Sequence, residues 1–272
     1  MSHAAAGALS VTRVGAGEGQ SKSLILMHGI YGRGRNLQSV ARGVTAARPE
    51  YACWLVDLPH HGESGPGRHG DTVNGLAQDV LDWLDAQDIS PTAILGHSYG
   101  GKIALAMMPP LAAQPLQVWV IDSTPETKSP SGSAWRMLEI IRGLPPRFAT
   151  REAAVSAIVA AGFDVGVGQW VSTNLVRGDD GFVWRLDLEV MEQLLHDFFR
   201  TDLWPVVEAP PPGHEIHFLK ASESSALSES AVARVQAASA SAKVHLHVRQ
   251  GGHWIHAESP AVVVALLVEH LP

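Results

Sequence analysis

Cysteine occurs once in the 272-residue chain, so an intrachain disulfide is impossible. Cys53 lies in the strand-like run "YACWLVD", where we expect a packed side chain rather than a reactive thiol. Structural disulfides belong to oxidising compartments. The cysteine content therefore favours a reducing environment, and we expect a cytoplasmic protein.

Basic charge and long hydrophobic runs are also scarce. Lys and Arg number 20 against 27 Asp and Glu, a formal net charge of -7 that provides no basic field for nucleic acid. No stretch approaches the roughly 20 apolar residues of a membrane span. Residues 1–19 lack the basic start and apolar run of a secretory signal. We expect a small-molecule substrate, no nucleic-acid partner and no membrane span; the oligomeric state stays open.

Strand-like and helical patterns alternate along the chain. Val73, Leu76, Val80 and Leu84 follow the spacing of a helix with one buried face, and Ser259-Pro260 begins another helix. This alternation predicts an α/β fold, with a mostly parallel sheet flanked by helices. Six runs are expected to form strands: 23–27, 51–57, 92–96, 117–122, 215–220 and 243–249.

The last of these runs, "KVHLHVR", alternates apolar and polar residues. Val244, Leu246 and Val248 alternate with His245 and His247, a pattern typical of an edge strand with one wet face. We therefore expect both histidines at the surface.

One connection is too long for a simple crossover. From Ser123 to Gly213, about 90 residues separate two strands, whereas a crossover needs only a short helix and its loops. We predict a helical cap over residues 123–212, inserted into a core of residues 1–122 and 213–272. Most of the cap's aromatic side chains are expected to form its own small core, and a minority to line an apolar acyl pocket.

"ILGHSYGGKIAL" places Gly-x-Ser-x-Gly between a strand and a helix. This is the pattern of a nucleophile elbow, in which Gly96 and Gly100 permit a sharp turn and Ser98 projects from the head of the helix. The helix N-terminus also favours developing negative charge. Ser98 is therefore the candidate nucleophile.

An oxyanion needs two backbone donors aimed at one point. Tyr99, directly after the nucleophile, would provide one amide, and Ile30 in "LMHGIYG" would provide the other. Gly29 allows close approach, and His28 is expected to hold this loop by a hydrogen bond.

The general base is expected after the last strand, in "RQGGHWIHAESP". His253 follows two glycines there, in the order strand, histidine, helix. Neither the pair His253 and His256 nor the pair His60 and His61 is accompanied by further ligands, so no metal site is expected. The acid remains open at this point, because Asp122 at the end of "VWVID" is either a triad member or a turn residue.

These motifs together resemble the α/β-hydrolase superfamily over almost the whole chain. "HGIYGRGRNLQSVA", "VDLPHHGES", "GHSYGGK", "IDSTP" and "GGHWIHAESP" are similar, in order and spacing, to a family of small serine esterases and thioesterases. That family includes a bacterial acyl-CoA esterase and a mitochondrial α/β-hydrolase-domain protein. The cap sequence "QWVSTNLVRGDDGFVWRLDLEVM" also resembles the family's Asn-Leu-Val and Trp-Arg-x-x-Leu elements.

The resemblance implies an acid within Asp-x-x-Pro, which Asp122 and Pro125 match. The more usual position follows "IHFLK", where "KASES" departs from the family's Gly-Gly-Asn-Ser and leaves Glu223 as a rival. Pro59-His60 and Leu37 are further departures near the pocket.

We predict a serine hydrolase that cleaves carboxylic esters or thioesters through an acyl-enzyme, with Ser98, His253 and Asp122 as the triad and no cofactor. Tyr31, Trp184 and Trp254 are the expected substrate contacts. Arg33 and Arg35 would meet a coenzyme A phosphate, although surface ion pairing also explains them. The alternatives are a lyase, a carbon–carbon bond hydrolase or an acyltransferase of the same fold, or a non-catalytic ligand-binding member.

Overall fold

Ten strands are found among the described residues. The computed structural model describes residues 7–15, 22–240 and 243–272. The sequence predicted no secretory signal in residues 1–19, and residues 1–6 and 16–19 of that segment lie outside the described residues. The strands are β1 (Val11–Val14), β2 (Lys22–Met27), β3 (Tyr51–Val56), β4 (Ala93–His97), β5 (Leu116–Ile121), β6 (Arg147–Phe148), β7 (Leu175–Gly178), β8 (Gly181–Trp184), β9 (His214–Ala221) and β10 (Val244–Arg249).

Eleven α-helices are described, with short 3-10 turns at Gly34–Leu37, Pro109–Leu111 and Ser172–Asn174. The helices are α1 (Gln38–Ala47), α2 (Val73–Ala86), α3 (Tyr99–Ala106), α4 (Gly132–Gly143), α5 (Arg151–Ala160), α6 (Val165–Val171), α7 (Leu188–Arg200), α8 (Trp204–Glu208), α9 (Glu229–Ala238), α10 (Ile255–Glu258) and α11 (Pro260–His270).

In the part of the chain that the structure describes, the main sheet has seven strands in the order β1-β3-β2-β4-β5-β9-β10. β1 pairs antiparallel with β3, and all other neighbours pair in parallel. One buried cluster, which includes residues of α2 and α3, packs on one face, and a second, which includes residues of α1 and α11, packs on the other. The carboxyl ends of the parallel strands therefore lie together at one end of the sheet, where α/β proteins of this kind have their ligand-binding sites.

The six predicted strands correspond to β2, β3, β4, β5, β9 and β10, and the predicted helices correspond to α2 and α11. The Thr72 hydroxyl caps α2 by accepting a hydrogen bond from the Gly75 amide. β1 was not predicted, because its four residues carry no buried alternation: none of them is buried in the structure.

The edge strand β10 departs from its predicted pattern at His247 and at Val248, which was expected on the buried face but is 49% exposed. The side chain of His245 is 44% exposed, as expected. His247 is only half-exposed, because its ring stacks near Trp119 and His217 and lies 5.0 Å from the ring of His270 at the end of α11. The prediction that both histidines lie at the surface is wrong for His247.

The chain between β5 and β9, which we call the cap segment (residues 123–212), contains α4 to α8. It also contains a three-stranded antiparallel sheet in the order β6-β8-β7, which was not predicted because its strands are only two to four residues long. The division into core and cap domains at residues 122 and 213 remains a prediction.

Lys102 fixes α7 against the helix that begins at the elbow. Its buried ammonium donates hydrogen bonds to the carbonyls of Glu126 at 2.9 Å, Phe198 at 2.6 Å and Thr201 at 2.8 Å. Three simultaneous hydrogen bonds use all three N–H donors of a charged lysine, whereas burial lowers the pKa of Lys102 to about 7. The end of α7 is thereby held beside α3.

Candidate active site

Ser98 lies in a sharp turn between β4 and α3. Its φ of 51° and ψ of −114° are strained for a residue with a Cβ atom. Glycine is required on both sides of it: a Cβ at Gly96 would lie 2.0 Å from the Gly100 carbonyl oxygen, and one at Gly100 would lie 2.6 Å from the Met27 carbonyl oxygen. The tight packing keeps Ser98 at the carboxyl edge of the sheet with its hydroxyl facing a cavity.

The structure brings the three predicted triad residues together. The Ser98 Oγ lies 3.1 Å from His253 Nε2, and His253 Nδ1 donates to Asp122 Oδ2 at 2.7 Å. With Nδ1 protonated, Nε2 is free to accept the hydroxyl proton. Residues separated by 155 positions thus form one continuous hydrogen-bonded chain from hydroxyl to carboxylate.

Asp122 directly follows β5, the strand next to the elbow strand β4. Its side chain is fully buried, and its second oxygen, Oδ1, accepts a hydrogen bond from the Ala221 amide at 3.0 Å. Among the described residues, the Glu223 carboxylate makes no hydrogen bond to His253; Glu223 lines the cavity, and its amide donates to the Gly251 carbonyl. The geometry therefore pairs His253 with Asp122 and not with the rival Glu223.

His97 supports His253 from beneath and was not singled out from the sequence. Its Nε2 donates to the His253 carbonyl at 2.7 Å, and its ring lies 3.9 Å from that of His256. Burial lowers the pKa of His97 well below its usual value and that of His256 to about 3. Both rings are neutral at pH 7, so His97 can hold the main chain of the base without placing a charge beside it.

The loop after β2 carries the predicted oxyanion donor Ile30. His28 Nδ1 donates to the Gly29 carbonyl at 2.8 Å, and His28 Nε2 accepts from the Leu58 amide at 3.0 Å, which confirms that His28 holds this loop. Ile30 and Tyr99 both line the cavity beside Ser98. Within the described ranges, neither amide donates to a backbone carbonyl outside the regular helices and strands.

A cavity of about 830 Å³ opens beside the Ser98 hydroxyl. Its volume lies within the range of small-molecule sites. Leu195, Phe198 and Phe199 of α7 form an apolar wall, and the loop after β9 supplies polar groups that include Glu223. Lys128 also lines the cavity, and burial lowers the pKa of its ammonium.

The three predicted substrate contacts occupy different positions. Trp254 lines the cavity next to His253, with the two rings 5.3 Å apart. Tyr31 lines a much smaller side cavity, and its hydroxyl donates to the Ala134 carbonyl at 2.9 Å. Trp184 lines neither cavity and packs edge-on against Phe148 inside the cap segment. A substrate contact by Trp184 is therefore not supported.

The other residues singled out from the sequence have protein partners or lie elsewhere. His60 Nε2 bonds Asp71 at 2.7 Å, and His61 Nδ1 donates to the Pro59 carbonyl. Arg33 and Arg35 do not line the cavity. Burial raises the pKa of the Cys53 thiol to about 12, as fits a packed strand residue.

A family model described as the alpha/beta hydrolase family matches residues 24–266, and the chain belongs to that family. In the part of the chain that the structure describes, no helix combines the length and apolar character needed to cross a membrane.

Curated relatives match most of the chain. The sn-1-specific diacylglycerol lipase ABHD11 of Xenopus tropicalis is 28% identical over 249 residues, covering 89% of this chain and 75% of its own. The Escherichia coli K12 esterase YbfF is 26% identical over 252 residues, covering 91% of this chain and 92% of its own. Both similarities extend through the cap segment as well as the core.

Solved structures share the fold. A marine microorganism esterase superposes with a TM-score of 0.78 at 22% identity, covering 96% of this chain and 98% of its own. The thioesterase domain from the curacin biosynthetic pathway superposes with a TM-score of 0.74 at 14% identity, covering 96% of this chain and 95% of its own. These structures confirm the predicted α/β-hydrolase fold.

Proposed function

We propose that the protein is a serine hydrolase that cleaves small-molecule carboxylic esters or thioesters through an acyl-enzyme. One observation carries the proposal: a hydrogen-bonded chain runs from the Ser98 hydroxyl through His253 to the buried Asp122 carboxylate, at a strained elbow that faces a cavity. The named relatives, an esterase and a lipase, support ester cleavage.

Acylation begins when His253 Nε2 takes the Ser98 proton as Oγ attacks the substrate carbonyl carbon. The carbonyl π electrons move to oxygen, and the Ile30 and Tyr99 amides stabilise that oxyanion. When the tetrahedral intermediate collapses, the bond to the alcohol or thiol breaks and the His253 imidazolium protonates the leaving group. Asp122 orients the imidazole and stabilises its charged form.

Deacylation repeats these steps with water as the nucleophile. His253 takes a proton from water, the hydroxide attacks the acyl carbonyl, and collapse returns the proton to Ser98 and releases a carboxylic acid. The Gly252-His253-Trp254 segment lines the cavity, so water and substrate reach the same nitrogen.

The lining of the cavity suggests how the two parts of a substrate are arranged. The apolar wall of α7 suits an acyl chain, and the polar loop that carries Glu223 suits an alcohol or thiol leaving group. We propose that residues 123–212 act as the cap that provides this apolar wall, with Trp254 as a substrate contact.

The proposal is tested by measuring hydrolysis of p-nitrophenyl esters and acyl-CoA thioesters of graded chain length, with Ser98→Ala as the control. We expect release of free acid from at least one series by the parent and not by the variant. Equal rates for parent and variant, or no hydrolysis of either series, would refute it.

A further inference from the structure

A second group of chemically reactive side chains lies far from Ser98, towards the amino-terminal end of β9. Glu215 and His217 are two positions apart on β9 and project from the same face. His245 on the edge strand β10 is the direct partner of His217 in the parallel register. The triad, by contrast, lies at the other end of the strands, beyond their carboxyl termini.

The three side chains converge on one point. Glu215 Oε1 lies 2.6 Å from His245 Nε2 and 3.3 Å from His217 Nε2. One ligand atom from each residue lies within 4.8 Å of the other two. Ligand atoms about 2.0–2.2 Å from a tetrahedral zinc ion are separated by about 3.3 Å, so small side-chain rotations would close the set around an ion.

His217 supplies an independent indication of a ligand. Its side chain is only 2% exposed, and Nε2 has no hydrogen-bond partner although it faces the Glu215 carboxylate. Its other nitrogen, Nδ1, lies 3.0 Å from His247 Nε2. A buried imidazole with one nitrogen engaged and the other aimed unpaired at a carboxylate has the arrangement of a metal ligand with an outer-shell partner.

We propose that Glu215, His217 and His245 form a zinc site, with His247 as the outer-shell partner of His217. Two imidazole nitrogens and one carboxylate oxygen suit zinc better than calcium or magnesium, which prefer oxygen ligands. His245 and Glu215 are partly exposed, so the ion has an entry path and water can complete its coordination.

A bound ion would join the edge strand β10 to β9. Because metal binding to the folded state alone stabilises that state, the site would strengthen the sheet edge without taking part in ester cleavage. The sequence predicted no metal site, so a zinc site here would correct that expectation. No local motif signals it, since 28 residues separate His217 from His245 and only the register of β9 and β10 makes them neighbours.

The test titrates the metal-free full-length protein with zinc chloride in competition with a chromophoric chelator. His245→Ala and Glu215→Gln each remove one ligand, and we expect each to weaken zinc binding by at least about 100-fold, more than an outer-shell change costs. His247→Ala should weaken it by about 10-fold. Zinc should raise the melting temperature of the parent and not that of His245→Ala.

Two controls remove other histidine–carboxylate pairs. His69→Ala breaks the exposed pair with Asp82, and His253→Ala breaks the buried pair with Asp122. Both should bind one zinc ion as tightly as the parent. The proposal is overturned if the parent binds zinc no more tightly than His245→Ala, or if tight binding is lost in His253→Ala.

Discussion

Asp122 is held so that one carboxylate oxygen faces His253 and the other faces the sheet. The Oδ1 atom accepts from the Ala221 amide, which leaves Oδ2 for the His253 Nδ1 proton. Asp122 has a φ of 46°, an unusual backbone conformation for a residue with a side chain. A turn aspartate can adopt the same φ, but the two directed hydrogen bonds, one of them to His253, fit a functional carboxylate better than a simple turn residue.

Replacing Asp122 by asparagine tests this role. The amide preserves the shape but favours the wrong imidazole tautomer, and a change of this kind costs on the order of 10⁴ in kcat in serine triads. We expect Asp122→Asn to lose several orders of magnitude in kcat for p-nitrophenyl ester hydrolysis. Glu223→Gln, the matched control, should remain within about tenfold of the parent, because Glu223 lines the cavity without contacting His253. The reverse pattern would transfer the acid role to Glu223.

Ser98→Ala and His253→Ala are expected to abolish ester hydrolysis while the far-ultraviolet circular dichroism spectrum stays unchanged. Because the triad acts as a unit, the double variant should be little slower than either single variant. The measurement is kcat/KM for all three proteins on one ester. Independent losses that multiply in the double variant would contradict a shared proton-transfer chain.

Local motifs in the sequence pointed to two residues that the structure brings into contact. Gly-x-Ser-x-Gly between a strand and a helix pointed to Ser98, and a late histidine after two glycines pointed to His253. His97 was missed because its role depends on contact with a carbonyl 156 positions away. Trp184 was predicted to contact substrate because of its sequence context alone. The apolar wall of the cavity instead depends on how α7 packs, which no local motif reveals.

At the level of elements, α7 determines one wall of the cavity. Leu195, Phe198 and Phe199 face the cavity from this helix, and Lys102 holds its carboxyl-terminal end against α3. The β6-β8-β7 sheet, by comparison, packs around Phe148 and Leu175 in a separate small cluster. Shortening a side chain on α7 and shortening one on this sheet should therefore have different effects on substrate preference and stability.

Phe199→Ala enlarges the proposed acyl pocket, and Trp184→Leu removes a similar aromatic ring from the cap's own cluster. We expect Phe199→Ala to shift the preference towards longer acyl chains more than it changes activity on the shortest ester, because the lost contact is with the chain. Trp184→Leu should lower thermal stability and leave the chain-length profile unchanged. The acyl chain-length profile of each variant is measured over a graded ester series. A changed preference in Trp184→Leu alone would contradict this view.

Element prediction succeeded where patterns were long. α2 carries a full amphipathic repeat and α11 begins at a proline, so both were visible in the sequence. The strands β6, β7 and β8 were not, because two to four residues cannot establish an alternating pattern. The half-buried state of His247 also depends on distant residues, Trp119 and His270, rather than on its own strand.

The whole molecule buries several histidines in neutral form. Burial lowers the pKa of His28 to about 4 and those of His61 and His256 to about 3. The unfolded chain titrates these groups near pH 6.5. Below that pH the unfolded state binds protons that the folded state does not, so stability is fully present above pH 6.5 and is lost as the pH falls towards about 4.

Urea unfolding at pH 7.5 and pH 5.0 measures this loss. Each of the three histidines should contribute a decrease of about 2 kcal/mol in the free energy of unfolding between these two conditions. His256→Phe removes one of these groups, so its decrease should be smaller than that of the parent, whatever its absolute stability. A free energy of unfolding that is independent of pH over this interval would contradict neutral burial.

The central claim, that Ser98 is the nucleophile of a hydrolase, is tested most directly by intact-mass and peptide analysis after reaction with a fluorophosphonate probe. The account predicts one adduct per folded chain, located on Ser98, with ester hydrolysis lost in proportion to labelling, and no adduct on Ser98→Ala. Folded protein that hydrolyses esters but carries no adduct on Ser98, or carries it on another residue, would contradict the account.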